Sequence, residues 1–151
     1  GTFRTVPSAG ARHSFETYLS VHRVDTIEAG LYRYLPLDHC LVREKHATFT
    51  GAELADACLG QTFVGHSAAT FIWTTIPYRV EWRYDLAAHR VIAIDVGHVC
   101  QNLYLACEAI GAGTCAIAAY DQEAVDDLIG VDGDDEFTIY LAPVGRKPTE
   151  T

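Results

Sequence analysis

The stretch DVGHVCQNLYLACEAIGAGTCAIAAYD, residues 95–121, decides the fold of this chain. In its first half, apolar side chains recur at i, i+3 and i+4, which predicts one face of an α-helix: Val96, Val99, Cys100, Leu103, Cys107 and Ile110. Gly111 suits the left-handed conformation that commonly ends a helix. The small residues 114–119 then predict a strand whose backbone a flat ligand can approach closely. We therefore expect a helix over residues 88–110 and a small-residue strand directly after it.

The opposite arc of the predicted helix is polar but lacks cations. It holds His98, Gln101, Asn102 and Glu108, and no Lys or Arg occurs in residues 91–145. A helix that faced water along this arc would be expected to carry Lys or Arg. We therefore expect a homodimer whose interface is built on residues 96–110.

The bulk composition excludes several classes of protein. The 151 residues carry 20 acidic and 11 basic side chains, a formal net charge of -9, which disfavours binding to nucleic acid or to an anionic membrane surface. No apolar run reaches the roughly 18 residues of a membrane-spanning helix. The five cysteines are scattered without a C-x-x-C pair, which is typical of free thiols, so we expect a cytoplasmic protein. The length fits one domain over residues 1–151.

The order of the predicted elements indicates an α+β fold. Besides an early hairpin around residues 36–38, strands are expected at residues 15–24, 68–76 and 136–144. Thr50 and Glu53 form a capping-box pattern for a short helix that Gly60 ends. Further helices are expected at residues 77–85 and after Asp121. This irregular alternation predicts a mixed sheet covered by helices.

Motifs in sequence order resemble the nitroreductase superfamily, and in particular its branch related to SagB-type dehydrogenases. They are Pro7-Ser-Ala-Gly-Ala11, Gly30-Leu-Tyr-Arg-Tyr34, Arg79-x-x-Trp82-Arg83-Tyr84, Asp95-x-Gly-His-x-x-Gln-Asn-Leu-x-Leu105 with Gly111-x-Gly-Thr-x-Ala-Ile117, and Pro143-Val-Gly145. The resemblance covers nearly the whole chain. It implies a three-layer fold in which helices flank a mixed or antiparallel sheet.

The resemblance also implies a cofactor site. Members of this superfamily bind FMN noncovalently, usually at a homodimer interface, and pass hydride from NAD(P)H to an acceptor. Carried over to this chain, two segments would contact the flavin and two cations its phosphate: Pro7, Ser8, Ala9 and Gly10; Ala116, Ile117, Ala118 and Ala119; and Arg146 with Lys147. A backbone N–H of the second segment would lie near the flavin N5 and stabilise the reduced ring. The other interpretation of residues 116–119 is an ordinary buried strand.

Arg83 and Tyr84 would occupy the catalytic positions, but here the chain departs from the family. Azoline-oxidising members have a Lys-Tyr pair, and an arginine cannot shuttle protons because its side chain does not lose its proton in proteins. Tyr84 therefore either donates a proton or only packs. The family's Arg-x-Ser-x-Arg phosphate clamp, which precedes the P-S-A-G motif, does not occur in this sequence, and the sequence contains no Met, so we expect an N-terminally incomplete domain.

These observations favour an FMN-dependent oxidoreductase with an unknown organic acceptor. Two alternatives remain at this point: a degenerate member that acts as a non-catalytic ligand-binding or interaction module, and an inactive fragment of a longer enzyme. The spacing of the His and Cys residues fits no zinc site, so we expect no metal.

Overall fold

In residues 4–147, six strands form one central sheet. The computed structural model describes residues 4–147, and its strands are Phe15–Val21 (β1), Gly30–Leu35 (β2), Cys40–Arg43 (β3), Ala69–Thr75 (β4), Ala112–Thr114 (β5) and Phe137–Arg146 (β6). Their order across the sheet is β3-β2-β1-β4-β6-β5, and every neighbouring pair is antiparallel. The predicted α+β class is confirmed. The sheet is antiparallel rather than mixed, because no two neighbouring strands in residues 4–147 run in the same direction.

Strand β4 lies inside the sheet, between β1 and β6, and carries the centre of the core. Its residues are mostly β-branched or aromatic, which suits a strand buried on both faces. Ile72 is completely buried on one face and Trp73 is 2% exposed on the other. The prediction of a buried central strand over residues 68–76 is confirmed.

Helices cover both faces of the sheet and complete three layers. They are Gly51–Ala57 (α1), Thr62–Gly65 (α2), Tyr78–Tyr84 (α3), Ala88–Ala109 (α4) and Gln122–Ile129 (α5). Helices α1 and α5 pack on the face that carries Ile72, where Leu54 and Val125 join one apolar cluster. Helix α4 packs on the opposite face, where Ile92 joins a cluster around Trp73.

The predicted helix caps are present. The Thr50 hydroxyl accepts a hydrogen bond from the Glu53 N–H at 3.3 Å, and the Glu53 carboxylate accepts one from the Thr50 N–H at 2.7 Å, so α1 begins with a capping box. Gly60 lies just beyond the end of α1 with φ 76°. Asp121 caps α5 by accepting a hydrogen bond from the Ala124 N–H at 3.1 Å.

Helix α4 confirms the predicted long helix, with one exception at its end. Val96, Cys100 and Cys107 are buried as expected. Gly111 follows with φ 71°, as a helix stop requires. Ile110, expected on the buried face, is 77% exposed because the chain has already left helical geometry at that residue. In residues 4–147 no helix is both long and apolar enough to cross a membrane.

The predicted small-residue strand over residues 114–119 is wrong for most of its length. Strand β5 ends at Thr114, and after it only Ile117 pairs with β6, opposite Leu141. The same register would place Cys115 opposite Pro143 at a hydrogen-bonded position. Proline has no N–H to donate, and the Thr114 hydroxyl donates to the Pro143 carbonyl instead, at 2.9 Å. The ladder is therefore interrupted at Cys115, and residues 115–119 are irregular apart from the single bridge between Ile117 and Leu141.

Candidate functional site

The loop of residues 7–10 is anchored to the first half of α4. The Ala9 N–H donates to both carboxylate oxygens of Asp95, at 3.2 and 3.0 Å. Asp95 is only 4% exposed, and a desolvated carboxylate forms strong bonds to N–H donors. The Ser8 hydroxyl also accepts a hydrogen bond from the His13 N–H at 3.0 Å. The loop is therefore fixed relative to α4.

Arg83 and Tyr84 end α3 directly beside this loop. A Cβ placed on Gly10, which has φ 57°, would lie 2.8 Å from the Tyr84 hydroxyl and 3.1 Å from Arg83 Nε. Only glycine fits this approach without displacing a side chain. The Arg83 guanidinium also lies over the Tyr84 ring, 5.7 Å from its centroid. The structure thus brings the two candidate catalytic residues together with the candidate loop.

Residues 116–119 lie beside the second half of α4. The Ala116 N–H donates to the Tyr104 hydroxyl at 2.9 Å, and the Ala119 carbonyl accepts a hydrogen bond from Gln61 Nε2 at 2.7 Å. Ile117 is buried, but Ala118 and Ala119 are exposed. Within residues 4–147 neither of these two alanines donates its backbone N–H to a protein acceptor. The interpretation as a buried strand therefore fits Ile117 and not the two alanines that follow it.

Arg146 and Lys147 are exposed at the end of β6. Lys147 forms an ion pair with Glu108 near the end of α4, and Arg146 lies opposite Ala112 of β5. Arg146 lies five positions along β6 from Leu141, the partner of Ile117, which corresponds to about 17 Å of strand. A ligand that contacts both these cations and residues 116–119 must extend along this side of β6.

The predicted site residues therefore fall into two groups along α4. One group comprises residues 7–10, Arg83 and Tyr84 near Asp95, and the other comprises residues 116–119, Arg146 and Lys147 near Tyr104 and the helix end. Asp95 and Tyr104 are nine residues apart, which is about 14 Å along a helix. A single chain does not unite all of these residues at one point.

Sequence reasoning missed the side chains that hold these segments in place. Asp95 and Tyr104 bind backbone N–H groups, and Asn102 Nδ2 donates to the Thr5 carbonyl at 3.3 Å. Asp95 and Asn102 are seven residues apart and so share a face of α4. Two polar residues at this spacing, on a helix otherwise rich in apolar residues, could have indicated from the sequence that this face of α4 binds another segment.

A cavity of about 400 Å³ lies between residues 4–8, the start of β1, the end of β2 and α4. Its walls are mostly apolar, with Pro7, Phe15 and Val99 among them, and they also carry the polar side chains of Arg4, Glu16 and Asn102. The cavity therefore adjoins the candidate loop on the side of the sheet that faces α4.

The three buried cysteines contribute no nucleophile to the candidate site. All five are free thiols, as predicted. Burial raises the pKa of Cys58 to about 11, and it also raises the pKa values of Cys100 and Cys107. These three side chains stay protonated at neutral pH, and a protonated thiol is a weak nucleophile. Groups of three or more potential metal ligands are also absent from residues 4–147.

Comparison with known proteins decides the family. A model of the nitroreductase family matches residues 2–146. The chain belongs to the nitroreductase family. A provisionally named nitroreductase of Methanocaldococcus jannaschii, MJ1384, is 35% identical over 145 residues, which are 96% of this chain and 71% of that protein. The trifolitoxin-processing protein TfxB of Rhizobium leguminosarum bv. trifolii is 28% identical over 85% of this chain and 36% of its own length.

Solved structures share the fold. A provisionally named nitroreductase from Anabaena variabilis superposes with a TM-score of 0.88 at 29% identity, covering 94% of this chain but 29% of its own. The Escherichia coli microcin synthetase McbBCD complex contains a chain with a TM-score of 0.84 at 22% identity, covering 98% of this chain and 57% of its own. This chain thus spans less than two thirds of either solved chain. The predicted nitroreductase fold is confirmed, and the family supports an oxidoreductase-like function.

Proposed function

We propose that this protein is an FMN-dependent oxidoreductase that passes hydride from NAD(P)H to an organic acceptor. The observation that carries the proposal is the exposed pair Ala118-Ala119, whose backbone N–H groups donate to no acceptor within residues 4–147. Methyl side chains leave the backbone accessible, and unpaired donors suit the nitrogen-bearing edge of a flat ring. A segment that served only the core would bury these groups or pair them.

The residues around this segment fit FMN. Bound FMN would supply reversible hydride transfer, while the protein supplies position and hydrogen bonds. Tyr104 and Gln61 fix the backbone on either side of the two alanines, so their N–H groups keep one orientation. Arg146 would bind the phosphate, for which a guanidinium offers paired donors. Lys147 contributes less, because Glu108 already partly neutralises its charge.

A homodimer would bring the two groups of site residues together. Helix α4 exposes Ile94 and Leu105, which are 54% and 61% exposed, and apolar residues exposed along a helix are typical of an interface. In a twofold pair with antiparallel α4 helices, the first half of one helix lies beside the second half of its partner. Residues 7–10 of one chain would then meet residues 116–119 of the other.

Arg83 and Tyr84 would act at the edge of this combined site. Both contact the position of Gly10, so any ligand on the loop lies within their reach. We assign Tyr84 as a proton donor to the acceptor. The Arg83 guanidinium would stabilise negative charge that develops on the reduced flavin or the acceptor.

Reconstitution with FMN tests this function. The protein is expected to bind FMN with quenching of flavin fluorescence, and NAD(P)H is expected to bleach the bound flavin under anaerobic conditions. Tyr84→Phe should retain flavin and lose acceptor turnover. Tyr32→Phe is the matched control, because it removes a hydroxyl that donates to the Glu28 carbonyl at 2.8 Å, away from the candidate loop. A protein that shows no flavin binding at micromolar FMN would contradict the proposal and leave a ligand-binding or interaction role.

A further inference from the structure

A cationic cleft lies beside the candidate site in a protein whose net charge is -9. Its volume is about 660 Å³, and it is bounded by the turn after residue 10, the end of β2 and helix α3. Four of the 11 Lys and Arg residues of the chain line it: Arg4, Arg12, Arg33 and Arg79. A concentration of cations against the overall charge indicates a binding surface for an anion.

The acidic residues of the cleft do not neutralise these cations. Glu16 pairs with both Arg33 and Arg79, at 3.0 and 2.7 Å, so one carboxylate serves two guanidinium groups. Arg12 pairs with no carboxylate in residues 4–147; its Nε donates to the Gly10 carbonyl at 2.9 Å. Asp38 is the other acid of the lining. The cleft therefore retains a surplus of positive charge, and Arg12 keeps donors for a ligand.

An aromatic side chain stands at the same place. Trp82 lines the cleft and is 59% exposed, with the Arg12 guanidinium 5.0 Å from its ring centroid. A guanidinium beside an exposed indole can bind a phosphate along its edge while a flat heterocycle packs on the same apolar surface. Such a pairing matches a phosphate monoester attached to a purine nucleoside.

We propose that this cleft binds the 2′-phosphoadenosine end of NADPH and makes the protein prefer NADPH to NADH. The inference rests on the proposed oxidoreductase function. The cleft is contiguous with the site, because Arg12 contacts Gly10 and Trp82 directly precedes Arg83 and Tyr84. From this cleft, a dinucleotide bound by its adenosine end would reach the loop of residues 7–10 with its nicotinamide end.

Tryptophan fluorescence reports on this cleft directly, without flavin or turnover. The chain has two tryptophans, and Trp73 is 2% exposed in the core, so a ligand in the cleft acts on Trp82. We expect 2′,5′-ADP to quench or shift the emission and to bind about 10- to 100-fold more tightly than 5′-AMP, which lacks only the 2′-phosphate. Equal affinity of the two nucleotides would overturn the proposal. So would displacement of 2′,5′-ADP by FMN or by millimolar inorganic phosphate alone.

Variants test which residues carry the preference. Arg12→Ala is expected to weaken 2′,5′-ADP binding about tenfold and to leave 5′-AMP binding unchanged. Arg43→Ala is the matched control. It removes the same charge at the end of β3, outside the cleft, where Arg43 forms an exposed ion pair with Glu28. Trp82→Ala removes the fluorophore, so its nucleotide binding is measured by calorimetry. We expect this variant to bind both nucleotides more weakly than the wild type. If Arg12→Ala and Arg43→Ala behave alike, the cleft does not bind the 2′-phosphate.

Steady-state measurements separate this inference from the proposed function. With bound FMN, NADPH should give at least a tenfold higher kcat/KM than NADH, and Arg12→Ala should reduce this ratio through the KM for NADPH. Flavin reduction at equal rates by both donors would overturn the inference and leave the function intact. Flavin that neither donor reduces would overturn the function, while the 2′,5′-ADP titration would still decide whether the cleft binds the phosphoadenosine group.

Discussion

Replacing Ala118 by Leu tests whether residues 116–119 form a ligand-binding surface or serve only a structural role. Because Ala118 is exposed and makes no core contact, the larger side chain should change the free energy of unfolding by no more than about 0.5 kcal/mol. A flat ring over the same backbone would meet three additional carbon atoms. If that overlap costs about 1 to 3 kcal/mol, as overpacking does in a core, FMN affinity falls about 5- to 150-fold.

The assay pairs the thermal midpoint of the flavin-free protein with an FMN titration by fluorescence quenching. Ile117→Ala is the contrasting variant: Ile117 is 3% exposed, and its truncation should cost about 2 to 5 kcal/mol of stability. Ala52→Leu, at an exposed position of α1, is the control for an added apolar side chain. An Ala118→Leu protein that keeps its thermal midpoint and binds FMN as tightly as the wild type would refute the assignment of this segment.

Three further predictions concern the interface, the loop and a buried acid. Leu105→Asp should dissociate the dimer, as measured by sedimentation, with little loss of monomer stability. Leu103→Asp places a charge against the core cluster around Trp73 and should instead unfold the protein. A wild-type protein that sediments as a monomer at micromolar concentration would exclude the interface. Asp95→Ala should release the Ala9 N–H, cost about 1 to 3 kcal/mol and weaken FMN binding, and unchanged flavin affinity would contradict the anchoring role. Burial raises the pKa of Asp126 above its usual 3.8, so its contribution to stability is full below pH 3.8 and is lost as pH rises through the folded-state pKa. Urea titrations should therefore show the free energy of unfolding of the wild type falling relative to that of Asp126→Asn over this range, and parallel profiles would contradict it.

The candidate site was only partly accessible from the sequence. The P-S-A-G loop and the Arg83-Tyr84 pair were named from motifs, and the structure places them in contact through Gly10. The hydrogen bond from Ala9 of the loop to Asp95 joins residues 86 positions apart, and no local pattern encodes such a contact. The cationic cleft was missed for the same reason, because its arginines come from separate segments and appear dispersed in a strongly acidic chain.

The sequence by itself determined the local elements, since each depends on neighbours within a few residues. Helical spacing and Gly111 specified α4, the capping box specified the start of α1, and β-branched residues specified β4. Tertiary structure alone decided whether residues 114–119 continue as a strand, because the outcome depends on a partner position. Pro143, on β6, cannot donate the hydrogen bond that Cys115 would accept, so the ladder breaks there. It re-forms only at Ile117 opposite Leu141, and Ala118 and Ala119 beyond that pair are exposed. Exposure of this backbone, on which the proposed flavin site depends, is a property of the pairing between two strands and not of either sequence.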